Sequence, residues 1–133
     1  MNPKIWGPHL WFFLHSITFN YPLKPSKEDK KNYLNFFENL YKVLPCEKCS
    51  KHYQQNIKEI PLTDEILNDR NKLIDWLINF HNNVNKYAKK PLLNKQQVID
   101  YYQSQYNNKN YYPFIFILLL IIISLFLIYK IFL

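Results

Sequence analysis

The sequence of 133 residues contains a single glycine, Gly7. Loops that bind nucleotide phosphates, such as G-x-G-x-x-G or the P-loop, need several glycines at fixed spacings. The glycine count therefore excludes Rossmann and P-loop folds. Hydrophobic residues make up 48% of the chain, enough to build a core. Any nucleotide cofactor would have to be held by side chains that project from secondary structure.

Apolar residues recur at three- and four-residue steps over most of the chain, which is the spacing of one helix face. Ser26 followed by Asp29 resembles a capping box, and Asn94 can cap a later helix. The predicted helices cover about 6–18, 26–44, 46–57, 69–89 and 94–106. We therefore expect an all-α fold, a four-helix bundle with a short fifth helix.

The C-terminal segment is almost entirely apolar, and Phe114 to Tyr129 carry no charge. This predicts a transmembrane helix with Lys130 reaching out to the interface. The N-terminus lacks the pattern of a signal peptide. We expect a single-pass, tail-anchored membrane protein whose folded domain faces the cytosol. The expected divisions are a helical domain at 1–107, a polar hinge at 108–112 and the anchor at 113–133.

The only cysteines, Cys46 and Cys49, are separated by two residues, and His52 lies three further on. These residues have the spacing of zinc ligands, although structural zinc sites typically contain a second ligand pair. The fourth ligand could be His9, His15 or His81. C-x-x-C pairs in the cytosol are otherwise often redox-active. Cys46 would lie at a helix N-terminus, which favours a thiolate, and Cys49 one turn deeper.

Two stripes at helical spacing could hold an electron acceptor for such a dithiol. The first contains Gly7, Trp11 and His15. The second contains His81, Val84, Asn85 and Ala88, with Lys86, Lys89 and Lys90 at its end. Flat rings, an amide and lysines could grip a planar ring and a pyrophosphate. The alternative interpretation is that these tryptophan and histidine side chains are ordinary core groups.

The formal net charge of +7 permits binding to an anionic partner. The lysines are spread along the whole chain, and acidic residues are mixed among them. This pattern favours a solvated surface over a nucleic-acid interface.

Three stretches, WGPHLWFFLHSITFNYP, PCEKC and HNNVNKYAKKP, occur in this order. They resemble the motifs of the Erv/ALR family of FAD-linked sulfhydryl oxidases, over residues 4 to about 103. The H-N-x-V-N motif with K-P beyond it is highly specific. The resemblance implies a homodimeric helical bundle that holds FAD non-covalently at its mouth. It also implies oxidation of substrate dithiols, with electrons passing through FAD to O₂ and giving H₂O₂.

By this resemblance, Cys46 exchanges with the substrate and Cys49 reacts with the flavin. The implied FAD contacts are Gly7, Trp11, His15, Tyr21, Cys49, His81, Asn82, Val84, Asn85 and Lys90. Lys86 and Lys89 are added to them because of their charge. No metal is implied. Tyr101 and Tyr102 lie near the position where relatives often have a tryptophan.

The chain lacks the shuttle cysteine pair and the structural disulfide of many relatives. Electrons would therefore enter at Cys46 directly from a thiol-containing protein, such as a small thioredoxin-like carrier. Similar shuttle-less, membrane-anchored members occur in large DNA viruses, where they form disulfides in virion proteins. We expect such a role here, at a virion or host membrane. The alternatives are a zinc-stapled, membrane-anchored helical adaptor without enzymatic activity and a nucleic-acid-binding module.

Overall fold

The computed structural model describes residues 1–107 and 112–132. Its helices are α1 (Pro3–Phe19), α2 (Lys27–Asn39), α3 (Glu47–Glu59), α4 (Asp64–Leu67), α5 (Arg70–Tyr87), α6 (Lys95–Asn107) and α7 (Tyr112–Phe132). No strand occurs among the described residues, and the all-α class is confirmed. The chain divides into two compact units, Met1–Tyr102 and Gln103–Leu133. The hinge predicted at 108–112 lies almost wholly outside the described residues.

Side-chain caps define where several helices begin. The Ser26 hydroxyl accepts a hydrogen bond from the Asp29 amide at 3.1 Å, and the Asp29 carboxylate accepts one from the Ser26 amide at 2.8 Å. Asn94 and Gln97 make the same reciprocal pair at the start of α6, each bond 2.9 Å long. Both predicted caps are therefore confirmed. Each satisfies amide groups that a helix N-terminus leaves without partners.

The structure differs from the prediction at the end of the second helix and at an additional short helix. The second helix was expected to continue to residue 44, but α2 ends at Asn39 and a 3₁₀ turn, Leu40–Val43, follows it. Helix α4 was not predicted. It begins at the Thr63 cap, whose hydroxyl accepts a hydrogen bond from the Ile66 amide at 3.4 Å. A helix of four residues makes about one turn, which is too short to show a periodic pattern.

The core of the first unit lies between α1, α2, α3 and α5. Its fully buried apolar side chains are Leu14, Tyr21, Phe37, Leu67, Leu73, Leu77 and Phe80. Helix α1 packs along α5, and α3 packs on α5 as well. A second cluster, formed by Ile74, Ile78, Val98 and Tyr102, joins α6 to α5. Helix α5 is therefore the central element on which the other helices of this unit are positioned.

Helix α7 is formed by the apolar C-terminal segment. Its described side chains, from Phe114 to Lys130, are exposed. The structure confirms that the apolar C-terminal segment is helical. A search of the described residues finds no helix that is both long enough and apolar enough to cross a membrane.

Candidate functional site

The C-x-x-C segment forms a disulfide at the start of α3. Cys46 and Cys49 are bonded to each other, with their Cα atoms 5.2 Å apart. Cys46 is the N-cap of the helix, and its sulfur accepts a hydrogen bond from the Cys49 amide at 3.2 Å. When the pair is reduced, this amide and the helix dipole favour a thiolate at Cys46. Both cysteines are half-buried, and the deeper position expected for Cys49 is not evident from their exposure.

Contacts from other elements hold this redox loop in place. The Ser50 hydroxyl donates to the Tyr41 carbonyl in the preceding 3₁₀ turn at 2.7 Å. The Met1 amino group donates to the Pro45 carbonyl, next to Cys46, at 3.0 Å. The beginning of α1 therefore lies beside the disulfide. The stripe that starts at Gly7 runs from this region along α1.

Four aromatic side chains from three helices form what we call the ring cluster: Trp11, His15, His81 and Tyr102. The Trp11 and His81 rings are stacked, with centroids 3.7 Å apart and planes 8° apart. His15 stacks on Tyr102 at 4.5 Å. The His15 Nε2 and His81 Nδ1 atoms are 3.1 Å apart and share a hydrogen bond. The two predicted stripes therefore meet between α1 and α5, and α6 covers one side through Tyr102.

Burial keeps both histidines of the ring cluster neutral. Burial, followed by the charge of the neighbouring His81, lowers the pKa of His15 to about 3. Burial, followed by the charge of Lys90, lowers the pKa of His81 to about 4. One of the two facing nitrogens must therefore carry the shared proton while the other accepts it. Within the described residues, the buried His15 Nδ1 atom has no hydrogen-bond partner, and neither has Trp6 Nε1.

The H-N-x-V-N motif also shapes the segment that follows α5. The Asn82 side chain donates to the Leu93 carbonyl at 2.8 Å and accepts from the Leu93 amide at 3.1 Å. The Lys90 amide donates to the Asn85 carbonyl at 2.9 Å. Lys89 has a φ of 52°, the left-handed conformation that commonly ends a helix. Asn82 therefore positions the loop that carries Lys89 and Lys90.

The remaining predicted residues lie in different surroundings. Val84 is half-buried and Asn85 is buried, whereas Lys86, Lys89 and Lys90 are exposed at the end of α5. Tyr21 lies in the core, where its hydroxyl donates to the Leu67 carbonyl at 2.8 Å. None of the contacts described for Tyr21 reaches the ring cluster. The functional roles of all these residues stay predictions.

Three contacts show how α3 lies along α5. The Trp76 indole donates to the Ile60 carbonyl at 3.0 Å. Asn56 Nδ2 donates to the Phe80 carbonyl, also at 3.0 Å. The His52 and Tyr87 rings face each other, with centroids 5.6 Å apart. Residue numbers decrease on α3 as they increase on α5, so the two helices are antiparallel. Cys49, one turn before His52, is therefore level with the last turn of α5 and its lysines.

Two residues of the site were not assigned a role from the sequence. Tyr102 was noted only for its position near a tryptophan of relatives, although its spacing of four from Val98 indicates a buried face of α6. Asn56 carried no signal, since a single asparagine within a helical pattern does not reveal a partner on another helix.

His52, considered as a zinc ligand, contacts the Tyr87 ring. Among the described residues, no group of three His, Cys, Asp or Glu side chains could hold a metal ion.

The fold and the site define a small all-helical domain with a C-x-x-C disulfide at a helix start and a buried ring cluster between two helices. The sequence model of the Erv1/Alr family matches residues 8–106. The chain belongs to this family.

Individual relatives agree with the family assignment. A probable FAD-linked sulfhydryl oxidase of Acanthamoeba polyphaga mimivirus is 41% identical over 100 residues, which cover 75% of this chain and 70% of the relative. The FAD-linked sulfhydryl oxidase of African swine fever virus is 30% identical over 74% of this chain and 80% of its own length. The crystal structure of the FAD-binding domain of Erv1 from Saccharomyces cerevisiae superposes with a TM-score of 0.67 at 28% identity, covering 72% of this chain and 89% of that domain.

Proposed function

We propose that this chain is a FAD-linked sulfhydryl oxidase that forms disulfides in partner proteins. The observation that carries the proposal is the Cys46–Cys49 disulfide at the N-cap of α3, in a domain of the Erv1/Alr family. A disulfide between residues three apart opens and closes without large movement of the chain. The names of the viral relatives support the same activity.

The exchange with the partner is a two-electron reaction. A thiolate of the partner attacks the Cys46 sulfur, the Cys46–Cys49 bond breaks, and Cys49 leaves as a thiolate. The second partner thiol then attacks the mixed disulfide and releases Cys46. The partner is oxidised to a disulfide and the pair is reduced to a dithiol, which takes up the two protons that the partner loses. The amide of Cys49 stabilises negative charge on the departing Cys46 sulfur.

The residues around the ring cluster fit a dinucleotide such as FAD. A Cβ atom added at Gly7 would meet nothing within 4 Å, so there is open space beside α1 at this residue. His15 Nδ1 and Trp6 Nε1 are buried polar atoms that still lack partners. Because the Trp11 and His81 rings are stacked on each other, only their outer faces could meet a cofactor ring. The exposed lysines after α5 offer charges for phosphates. When bound, FAD supplies an acceptor for the two electrons of the dithiol and a means of passing these electrons to O₂.

The residue roles in this proposal are those implied by the family motifs. Cys46 exchanges with the partner, and Cys49 faces the flavin. The residues that would hold FAD by these motifs are Gly7, Trp11, His15, Tyr21, Cys49, His81, Asn82, Val84, Asn85 and Lys90. Lys86 and Lys89 are added because of their charge. We include in the proposal that O₂ is the final acceptor and H₂O₂ the product.

The test of this function uses two serine variants and a spectrum. The purified protein should show flavin absorbance and consume O₂ in the presence of a dithiol, with H₂O₂ formed in equal amount. Cys46→Ser and Cys49→Ser should both abolish O₂ uptake while the flavin stays bound. A colourless protein with about one zinc ion per chain would instead support the adaptor alternative. Unchanged turnover in either variant would refute the mechanism.

We further propose that the domain acts as a homodimer. The support is the family membership together with Ile5 and Phe13, large apolar side chains that are exposed on α1. Sedimentation of residues 1–107 should give twice the mass of the chain. A monomer that keeps its flavin and its turnover would contradict this.

We also propose that α7 attaches the domain to a membrane, with the domain on the cytosolic side. The support is the uncharged run from Phe114 to Tyr129 and the exposure of its side chains. The full chain should stay with membranes after alkaline extraction, whereas residues 1–107 should be soluble and active. Protease added to intact vesicles should digest the domain. Release of the full chain by alkali would contradict the anchor.

The natural partner in this proposal is a thiol-containing protein, with a small thioredoxin-like carrier as the first candidate. The chain has no cysteines other than Cys46 and Cys49, so no second pair can relay electrons. We include in the proposal a role in oxidising virion proteins at a virion or host membrane, because similar sulfhydryl oxidases occur in viruses. In a Cys49→Ser protein, the Cys46 thiolate should attack the disulfide form of the partner, release one partner thiolate and hold the other sulfur as a mixed disulfide that Cys49 can no longer resolve. Mass spectrometry would identify the trapped partner. A Cys46→Ser protein that traps the same partner through Cys49 equally well would contradict direct entry at Cys46.

A further inference from the structure

We propose that Asn56 and Asn83 form a polar bridge that fixes the register of α3 along α5, and thereby positions Cys49 against the end of α5. This role rests on the proposed oxidase function. Both are positioning residues, and Asn56 lies outside the family motifs quoted above. Asn83 occupies the variable position of H-N-x-V-N.

The bridge uses the hydrogen-bonding groups of a side chain that is only 1% exposed. Asn56 Nδ2 donates to the Phe80 carbonyl at 3.0 Å, and Asn56 Oδ1 accepts from Asn83 Nδ2. Asn83 Nδ2 also donates to the Glu59 carboxylate at 3.2 Å. One buried amide of α3 is therefore bonded to two points of α5, on either side of His81.

A buried amide specifies a register that apolar contacts do not. Apolar side chains attract without direction, so two helices held only by them can slide from one set of contacts to another at small cost. A displaced α3 would leave the Asn56 amide buried without partners, and an unpaired buried amide is unfavourable. Single buried asparagines fix the register of coiled coils in this way, at some cost in stability.

The consequence for the redox pair follows from the antiparallel arrangement. Cys49 lies two turns before Asn56 on α3, and Asn85 lies just after Asn83 on α5. Of the hydrogen bonds described between α3 and α5, those of the bridge lie nearest to Cys49 and Asn85. The bond between Trp76 and Ile60 is one turn further away from them. The His52–Tyr87 ring contact lies between the bridge and Cys49 and reports the register directly.

The test is the substitution Asn56→Leu, which removes the bridge without leaving a buried polar group unpaired. Phe80 lies within α5, so its carbonyl keeps the helical hydrogen bond from the Val84 amide. Asn83 is half-buried, so its amide can bond to water when Asn56 is replaced. The variant should therefore unfold at the same temperature as the wild type or higher. The exposed neighbour Gln54, changed to Leu, is the matched control.

We expect the two variants to differ in two measurements on the flavin-loaded protein. In Asn56→Leu, nuclear Overhauser effects between the His52 and Tyr87 rings should weaken or disappear. The rate at which the reduced cysteine pair bleaches the flavin under anaerobic conditions should fall on the order of 10- to 100-fold, because small displacements of a reacting group have effects of this size. Gln54→Leu should change neither. Asn83→Ala should show a smaller effect of the same kind.

Three results would overturn the positioning role. In the first, Asn56→Leu keeps the ring contacts and the bleaching rate of the wild type. In the second, Asn56→Leu loses much of its thermal stability. In the third, Gln54→Leu changes both measurements as much as Asn56→Leu does. Failure of the proposed function itself looks different, because the wild-type protein would then show no thiol-dependent bleaching at all. The ring contacts and the unfolding temperature are measured independently of activity.

Discussion

Acidification should weaken the first unit through the two histidines of the ring cluster. Burial lowers the pKa of His15 to about 3 and that of His81 to about 4, from 6.5 for both in an unfolded chain. Below pH 6.5 the unfolded chain therefore binds protons that the native state does not. The free energy of unfolding must fall as the pH falls, and the loss ends near pH 4 for His81 and near pH 3 for His15, where each native histidine also becomes protonated.

The size of the effect follows from the same pKa values. Between pH 7 and pH 5, the equilibrium protonation of an unfolded histidine lowers the free energy of unfolding by about 2 kcal/mol for each imidazole that stays neutral in the native state. The two histidines together should cost about 4 kcal/mol, a large fraction of the stability of a domain of this size. Urea unfolding followed by circular dichroism at the two pH values and constant ionic strength measures this loss.

Variants separate these histidines from the other groups that titrate. His15→Gln should reduce the loss between pH 7 and pH 5 by about 2 kcal/mol, and His15→Gln with His81→Asn by about 4 kcal/mol. The control is His9→Gln, which changes an exposed histidine of the same helix and should leave the loss unchanged. If His15→Gln loses as much stability between the two pH values as the wild type does, burial does not keep this histidine neutral and the reasoning is wrong.

Three further substitutions should shift the midpoint of urea unfolding at pH 7. Tyr21→Phe removes the hydrogen bond to the Leu67 carbonyl and should cost about 1–2 kcal/mol, because that carbonyl is left buried. Ser26→Ala removes the cap whose partner is Asp29 and should cost about 1 kcal/mol. Lys89→Gly should instead stabilise the protein by about 1 kcal/mol, since it relieves a left-handed backbone. An unchanged midpoint would contradict the corresponding interaction.

The elements predicted well are those whose signals are local. Helices α1 and α5 have long apolar stripes, and the caps at Ser26 and Asn94 involve residues three apart. Helix α4 was missed because a single turn contains no repeat of the pattern. The end of α2 was misplaced because a 3₁₀ turn has nearly the same spacing of apolar residues as an α-helix.

The site could be predicted only up to the face of each helix. Spacing indicated that Trp11 and His15 share a face of α1, and the motif marked His81 on another helix. That the Trp11 and His81 rings stack, or that Tyr102 lies against His15, depends on how three helices pack. Such contacts join residues far apart in the chain. No local sequence pattern predicts these contacts.

The scarcity of glycine explains why stability and function depend on the same residues here. Without a glycine-rich loop, backbone amides cannot approach a phosphate, and a cofactor must be held by side chains. Aromatic rings suit this because they have few rotamers and lose little entropy when they are fixed. In this chain the rings also join α1 to α5, through the Trp11–His81 stack and the His15–His81 hydrogen bond. A change to one of these rings should therefore loosen both the proposed cofactor site and the α1–α5 interface, and acid should weaken cofactor retention and the fold over the same pH range.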